Sequence, residues 1–166
     1  MFSKFLRPWR KVAIAAVVTA AGIATASTAM AAGDCPADKI VADGKGQPMG
    51  ATEPKGVTDT VLAMIDLSKE KLKADDHQFR MRQLVIQPGG IVPWHSHADR
   101  PALIYVVSGE ITEYASTCAV PLLHKAGEVS VDAGRSHWWQ NTGKTPAILI
   151  SVDLFPVEMK MDQHMM

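Results

Sequence analysis

The sequence predicts an all-β protein, and three observations support that class. Short runs of β-branched and aromatic residues recur at regular spacing from residue 60 to residue 155. Glycine, proline and asparagine punctuate these runs at the positions where a chain must turn. No internal repeat and no long amphipathic helical pattern interrupts the series. Many short strands joined by tight turns are typical of a β-sandwich or a β-barrel.

The predicted strands follow one another through a single domain that we place at residues 59–157. Residues 32–58 form an irregular N-terminal segment, because six glycines and prolines between residues 44 and 56 break any regular element. The charged stretch 69–76 predicts a loop or one helical turn. Alternation in 79–86 predicts a strand that stops at Pro88. The runs that predict strands are 60–65, 79–86, 102–107, 111–114, 120–124, 128–131, 137–140 and 147–155.

The first 31 residues resemble a secretory signal peptide. A basic start is followed by an uncharged stretch of mostly small residues, and Ala29-Met30-Ala31 has the small-x-small form of a cleavage site. The alternative is an uncleaved membrane anchor, since about 20 apolar residues can span a bilayer. We expect cleavage, and therefore a periplasmic or secreted protein without stable membrane insertion.

The charge and the cysteine content bear on the binding partners and on disulfide formation. Beyond residue 31 the chain has 17 acidic and 13 basic residues, a net charge of −4. This balance does not favour nucleic-acid binding, which requires a basic face. Cys35 and Cys118 are the only cysteines, and in an exported protein an even count predicts a disulfide. The alternative is a pair of thiolate metal ligands, although neither cysteine has a neighbouring ligand residue.

The chain ends in a short tail, residues 158–166, that is rich in methionine and contains His164. Thioethers and an imidazole are soft ligands suited to Cu(I), so copper handling is one interpretation. The other is a flexible terminus without fixed ligand geometry.

Three histidines are the candidate metal ligands. His95 and His97 are two residues apart in an extended run, so their side chains point to the same face of a strand. His137 lies forty residues later in a second run that has the composition of a strand. Neutral imidazole is the commonest protein ligand for transition metals, and these three residues predict one shared ion.

The residues around these histidines resemble the two cupin motifs. Gly89, the His95-x-His97 pair and Gly109 follow the spacing of the first motif. A glycine-bounded stretch, 127–134, then His137 and Asn141, follows the second. The resemblance extends over roughly 60–155 and implies a double-stranded β-helix, or jelly-roll barrel, that holds a metal ion inside through the three histidines.

The sequence departs from the cupin pattern at Ala102, where the family has a metal-binding glutamate. The remaining three-histidine set is similar to that of the thiol dioxygenases, which use iron. Iron is therefore the expected cofactor, and zinc, manganese, nickel and copper are the alternatives. Asp99 and Glu113 are two other carboxylates that lie near enough in sequence to be considered as ligands.

Strand parity also predicts the surroundings of the ion. Trp139 shares the inward face with His137, while Trp138 faces the other way. Ala102, Ile104 and Val106 share a second face, so we expect an apolar interior that suits a small neutral or aromatic molecule. No general base is evident. His124 is interpreted as the exposed end of a strand.

Two functions remain open from the sequence. The first is a metal-dependent, oxygen-using oxidoreductase that acts on a small molecule. The second is a cupin that binds a metal or a small ligand without catalysis, in sensing, storage or protection. We assign no catalytic residue, and by analogy with cupins we expect a homodimer.

Overall fold

The computed structural model describes residues 34–72 and 74–157. The predicted signal peptide and the Met/His-rich tail lie outside these residues. The described chain contains two single-turn 3₁₀ helices, Ala37–Lys39 and Leu67–Lys69, and eight strands. The strands are β1 (Lys55–Asp66), β2 (His77–Ser96), β3 (Ala102–Ser108), β4 (Glu110–Ala115), β5 (Leu122–Lys125), β6 (Val129–Asp132), β7 (Ser136–Gln140) and β8 (Ala147–Pro156).

All eight strands belong to one antiparallel sheet that curls into a nearly closed barrel. The order across the sheet is β5-β4-β7-β2-β8-β3-β6, and β1 pairs with β2 outside this path. Strand β3, next to the last strand of this order, also approaches β5 at the opposite end, so the sheet nearly closes on itself. The prediction of an all-β barrel is confirmed. Among the described residues, no helix is long and apolar enough to cross a membrane.

Strand β2 is longer than the sequence predicts, because it continues through Pro88 instead of stopping there. Its first half pairs with β8 through residue 86, and its second half pairs with β7 from Ile91 onward. Gly89 has a φ of 73° at this change of partners. A Cβ on Gly90 would lie 2.7 Å from the Gln87 carbonyl oxygen, so only glycine fits the corner. The corner carries the strand onward to His95.

The barrel interior is apolar at one end and polar at the other. Leu84 and Ile86 on β2 pack with residues of β3, β7 and β8 in the main core. The same inward face of β2 carries Arg80 and Arg82 further towards its start, and both are buried. The expectation of an interior that is apolar apart from the histidines is therefore wrong.

The N-terminal segment is fastened to the barrel by a disulfide and by backbone hydrogen bonds. Cys35 and Cys118 are bonded to each other, as predicted, and close a loop across 83 positions of sequence. The amide groups of Val41, Gly46 and Gln47 donate hydrogen bonds to the carbonyl oxygens of residues 115–117. On the chain-entropy account, a disulfide that closes a loop of this length stabilises the fold by about 4 kcal/mol.

Candidate metal centre

The structure brings the three predicted ligands together at one end of the barrel. His95 on β2 lies directly opposite His137 on β7, because these residues are partners in the antiparallel register. His97 follows the last residue of β2 and is buried. One ring nitrogen from each of the three lies within 4.8 Å of the other two.

The outer nitrogen of each imidazole faces an acceptor that has no proton to give. Nδ1 of His95 is 2.8 Å from the Pro93 carbonyl oxygen, and Nδ1 of His97 is 2.6 Å from the carbonyl oxygen of Arg100. Nδ1 of His137 is 2.7 Å from a carboxylate oxygen of Glu113. Each Nδ1 must therefore carry the proton and donate it, which leaves the lone pair of a neutral imidazole on Nε2.

These three lone pairs converge on one point. Nε2 of His95 is 3.0 Å from Nε2 of His97 and 3.1 Å from Nε2 of His137. Two nitrogens bound to one ion at about 2.1 Å lie about 3.0 Å apart at right angles and about 3.4 Å apart at the tetrahedral angle. Both observed distances fit adjacent ligands of one ion. The donor set therefore fits a divalent transition metal.

Burial keeps the imidazoles of His95 and His97 neutral. Burial, with a further contribution from the other two histidines, holds the pKa of His95 well below its usual value. Burial also lowers the pKa of His97 to about 4, assisted by the proximity of His137. Two of the three ligands are thus deprotonated at neutral pH, in the form that binds a metal.

Behind His137 lies a buried polar network centred on Glu113. One carboxylate oxygen of Glu113 accepts from His137, and the other lies 2.9 Å from Nε2 of His124. Arg135 forms an ion pair with the same carboxylate at 2.9 Å. Although burial alone would raise the pKa of Glu113, the hydrogen bonds from His124 and His137 and the charge of Arg135 lower it below its usual range. Glu113 is therefore an ionised carboxylate that orients the His137 ring.

A second group of potential ligands consists of Glu113, Asp132 and His137. The guanidinium of Arg135 already forms ion pairs with both carboxylates. Ser130 also donates a hydrogen bond of 2.8 Å to Asp132. Because the Arg135 guanidinium neutralises this group, the three histidines are the better candidate for a metal site.

A small cavity of about 20 Å³ lies against the imidazoles. This volume accommodates about one water molecule. Trp139 and Ile104, two of the predicted pocket residues, line it. The other two, Ala102 and Val106, are buried elsewhere in the barrel wall. The cavity is lined by Arg82, Leu84, Val92, His95, His97, Ile104, His137, Trp139, Leu149 and Ser151.

Sequence reasoning misplaced His124, and it considered Glu113 as a direct ligand, whereas Glu113 contacts the Nδ1 side of the His137 ring. His124 was expected at an exposed strand end, but it is completely buried. On β5 it shares the inward face with Leu122, while Leu123 points outward. Glu113 shares an inward face with Ile111 and Ala115. In the sequence, Glu113 lies two residues from each of the apolar Ile111 and Ala115, and an acidic residue on the inward face of a strand indicates a buried polar contact. The other candidate carboxylate, Asp99, is exposed.

Comparison with known proteins shows which protein family and which solved structures the chain is similar to. The model of the cupin domain family matches residues 82–153. No curated protein sequence matches the chain. A predicted oxalate decarboxylase from Thermotoga maritima superposes with a TM-score of 0.50 and 21% identity, covering 74% of this chain and 98% of that one. TT1209 from Thermus thermophilus superposes with a TM-score of 0.49 and 17% identity, covering 64% of this chain and 90% of that one.

The matched segment contains the second half of β2, which carries His95, and β7, which carries His137. The fold and the family match therefore point in the same direction. A nearly closed antiparallel barrel with these strands at its centre has the cupin jelly-roll fold, and residues 82–153 of this chain form a cupin domain.

Proposed function

We propose that this cupin is a metal-binding protein that holds one divalent transition-metal ion through His95, His97 and His137. The observation that carries the proposal is the convergence of three Nε2 lone pairs, each fixed by an acceptor at the opposite nitrogen of its ring. The Nε2 atoms of His95 and its two neighbours are 3.0–3.1 Å apart, and their lone pairs repel one another unless a cation lies between them. Iron is the first candidate, with zinc, manganese, nickel and copper as alternatives.

We further propose an oxygen-using oxidoreductase acting on a small molecule. A bound redox-active ion would supply one-electron chemistry with dioxygen, whereas zinc would supply Lewis acidity. The chain itself contributes three imidazoles and a mostly apolar cavity wall. Ala102 contributes no carboxylate, and the structure directs Glu113 to the far side of the His137 ring. The ligand set therefore leaves coordination positions free for small molecules.

The second candidate is a non-catalytic cupin with a sensing, storage or protective role. The size of the cavity favours it, because about 20 Å³ leaves no room for an organic substrate beside an ion. Its polar lining beyond the ligands consists of Arg82 and Ser151, and the Arg82 guanidinium already pairs with Asp59. No side chain in the lining is suited to act as a general base.

Metal analysis and oxygen uptake separate the two candidates. We expect the chain from residue 32 onward to bind one ion per chain when titrated anaerobically with Fe(II), measured by elemental analysis after desalting. Oxygen consumption is then followed with panels of small thiols and diols. Uptake that requires both iron and one substrate supports the oxidoreductase. Stoichiometric metal without turnover across both panels supports the binding protein, and no retained metal contradicts both.

We also propose that the protein works in the periplasm or outside the cell. The Cys35–Cys118 disulfide supports this location, since such bonds persist in oxidising compartments. The signal-like character of residues 1–31 agrees with it.

A homodimer is our proposal for the assembly, and β1 is its interface. Among the described residues β1 pairs only with β2, which leaves a free edge of 12 residues, about twice the usual strand length. Val61, Leu62, Met64 and Ile65 are each about half exposed, so both faces of the strand are apolar and uncovered. Natural proteins avoid long apolar edges unless a partner covers them. A second copy pairing about a two-fold axis covers both edges at once.

The dimer is tested by sedimentation velocity at micromolar concentration. We expect the wild-type chain to sediment as a dimer and Leu62→Lys to sediment as a monomer, because a buried lysine at the interface has no partner. Ala126→Lys adds the same charge at the exposed turn before β6 and should remain dimeric. A monomeric wild type, or a dimeric Leu62→Lys, contradicts the proposed interface.

A further inference from the structure

The indole N–H of Trp139 points at the same lone pair that we assign to the metal. Trp139 is 3% exposed, and its Nε1 donates a hydrogen bond of 3.2 Å to Nε2 of His137. The ring is held edge-on to His137 at 5.4 Å between centroids, and His124 packs against it at 4.8 Å. Two neighbouring rings thus fix the direction of the donor.

An ion bound to His137 competes with this hydrogen bond. A neutral imidazole has one lone pair in the ring plane, and Nε2 can direct it to a metal or to a donor, but not well to both. The indole nitrogen has a proton and no acceptor capacity, and a buried donor left without an acceptor is costly. Metal binding therefore leaves a fixed, buried N–H beside the ion that needs a new acceptor.

The cavity supplies the place for that acceptor. Trp139 and the three histidines line the same space of about 20 Å³, next to Arg82 and Ser151. That space holds a ligand about the size of one water molecule. A ligand there lies within reach of both the ion and the indole N–H, whereas a larger organic molecule does not fit without displacing side chains.

We infer that Trp139 is a specificity-determining residue, whose indole N–H donates a hydrogen bond to a small anionic ligand that shares the cavity with the metal ion. The inference rests on the proposed metal site and adds the class of ligand that the site selects. An anion is favoured over a neutral ligand of equal size, because a hydrogen bond to a charged acceptor is stronger and the ion attracts the same charge.

Fluoride, an anion about the size of one water molecule, is the probe, and the Co(II)-loaded protein reports its binding through the visible spectrum. We expect Trp139→Phe, which keeps an aromatic ring and removes the N–H, to weaken fluoride binding about tenfold. Trp138→Phe is the matched control, since Trp138 stacks on Tyr114 at 4.0 Å on the other face of β7. It should bind fluoride like the wild type.

Two further readouts separate this role from a general loss of structure. Trp139→Phe should bind Co(II) at least as tightly as the wild type, because the competing donor is gone. In the Zn(II)-loaded wild type, fluoride should shift the Trp139 indole ¹⁵N–¹H resonance and leave that of Trp138 in place. This second measurement needs no variant, so it decides the matter even if Trp139→Phe does not fold.

Equal fluoride affinity in Trp139→Phe and the wild type overturns the inference, as does a Trp139 indole resonance that fluoride does not move. Both results require a protein that has bound metal. If the wild type retains neither Co(II) nor Zn(II), the proposed metal site itself has failed, which is a different outcome.

Discussion

Replacing Asp153 with alanine is expected to lower the free energy of unfolding by about 3–5 kcal/mol. Asp153 is 1% exposed and accepts two hydrogen bonds from Arg80, at 3.0 and 2.7 Å. Arg82 and Arg100 approach the same carboxylate at 3.5 and 3.9 Å. Removing it leaves three buried guanidiniums without the anion that they share, and burying a charge without its counter-ion is costly.

Urea unfolding followed by circular dichroism measures this change. Asp38→Ala is the control, since Asp38 forms an exposed ion pair with Lys39 and its loss should leave the midpoint unchanged. Asp153→Asn keeps the size and one acceptor while removing the charge, so its effect should lie between the two. A change below about 1 kcal/mol for Asp153→Ala would show that solvent or the remaining carboxylate of Asp59 compensates the arginines.

This buried cluster illustrates what the sequence does not reveal. Along β2, Phe79 and Met81 alternate with Arg80 and Arg82, and the rule that apolar side chains face inward places the first pair inside. The structure has the opposite arrangement, with both arginines buried. Leu84 and Ile86 share the parity of the arginines and fix the register of the strand. The buried charges of the arginines are compensated by Asp153, which lies on β8 about seventy residues later in the sequence.

The convergence of the histidines was predictable for a simple geometric reason. Two residues at spacing two share a strand face whatever the rest of the fold, and a second strand with an inward histidine needs only to be adjacent. The antiparallel register of β2 and β7 provides that adjacency by placing His95 opposite His137. By contrast, the length of β2 depended on how Gly89 and Gly90 turn. Glycine is as compatible with a bulge inside a strand as with its end.

The position of His124 could not be predicted with the same ease. Leu122 and Leu123 are equally apolar, so the pattern of β5 does not say which of them faces the core. The choice is made by Glu113, whose buried charge needs hydrogen-bond donors and finds one in His124. Polar residues that hydrogen-bond to one another inside a barrel can be recognised only once the pairing of their strands is known.

Replacing His95 with alanine is expected to abolish stoichiometric binding, and replacing Glu113 with glutamine is expected to weaken it by about 10–100-fold. Alanine removes one of the three imidazole ligands, and the two that remain hold an ion much less tightly. Glutamine keeps the shape of Glu113 but removes the charge that holds the Nδ1 proton of His137. Isothermal titration with Co(II) in a metal-free buffer measures both affinities.

Glu70→Gln makes the same change of charge at an exposed position and should bind metal like the wild type. The three variants therefore rank the contributions of a direct ligand, a residue that orients a ligand, and net charge alone. Full occupancy in His95→Ala contradicts the assigned ligand set. Wild-type affinity in Glu113→Gln would mean that packing alone fixes the His137 ring, because the tautomer would then be set without the carboxylate.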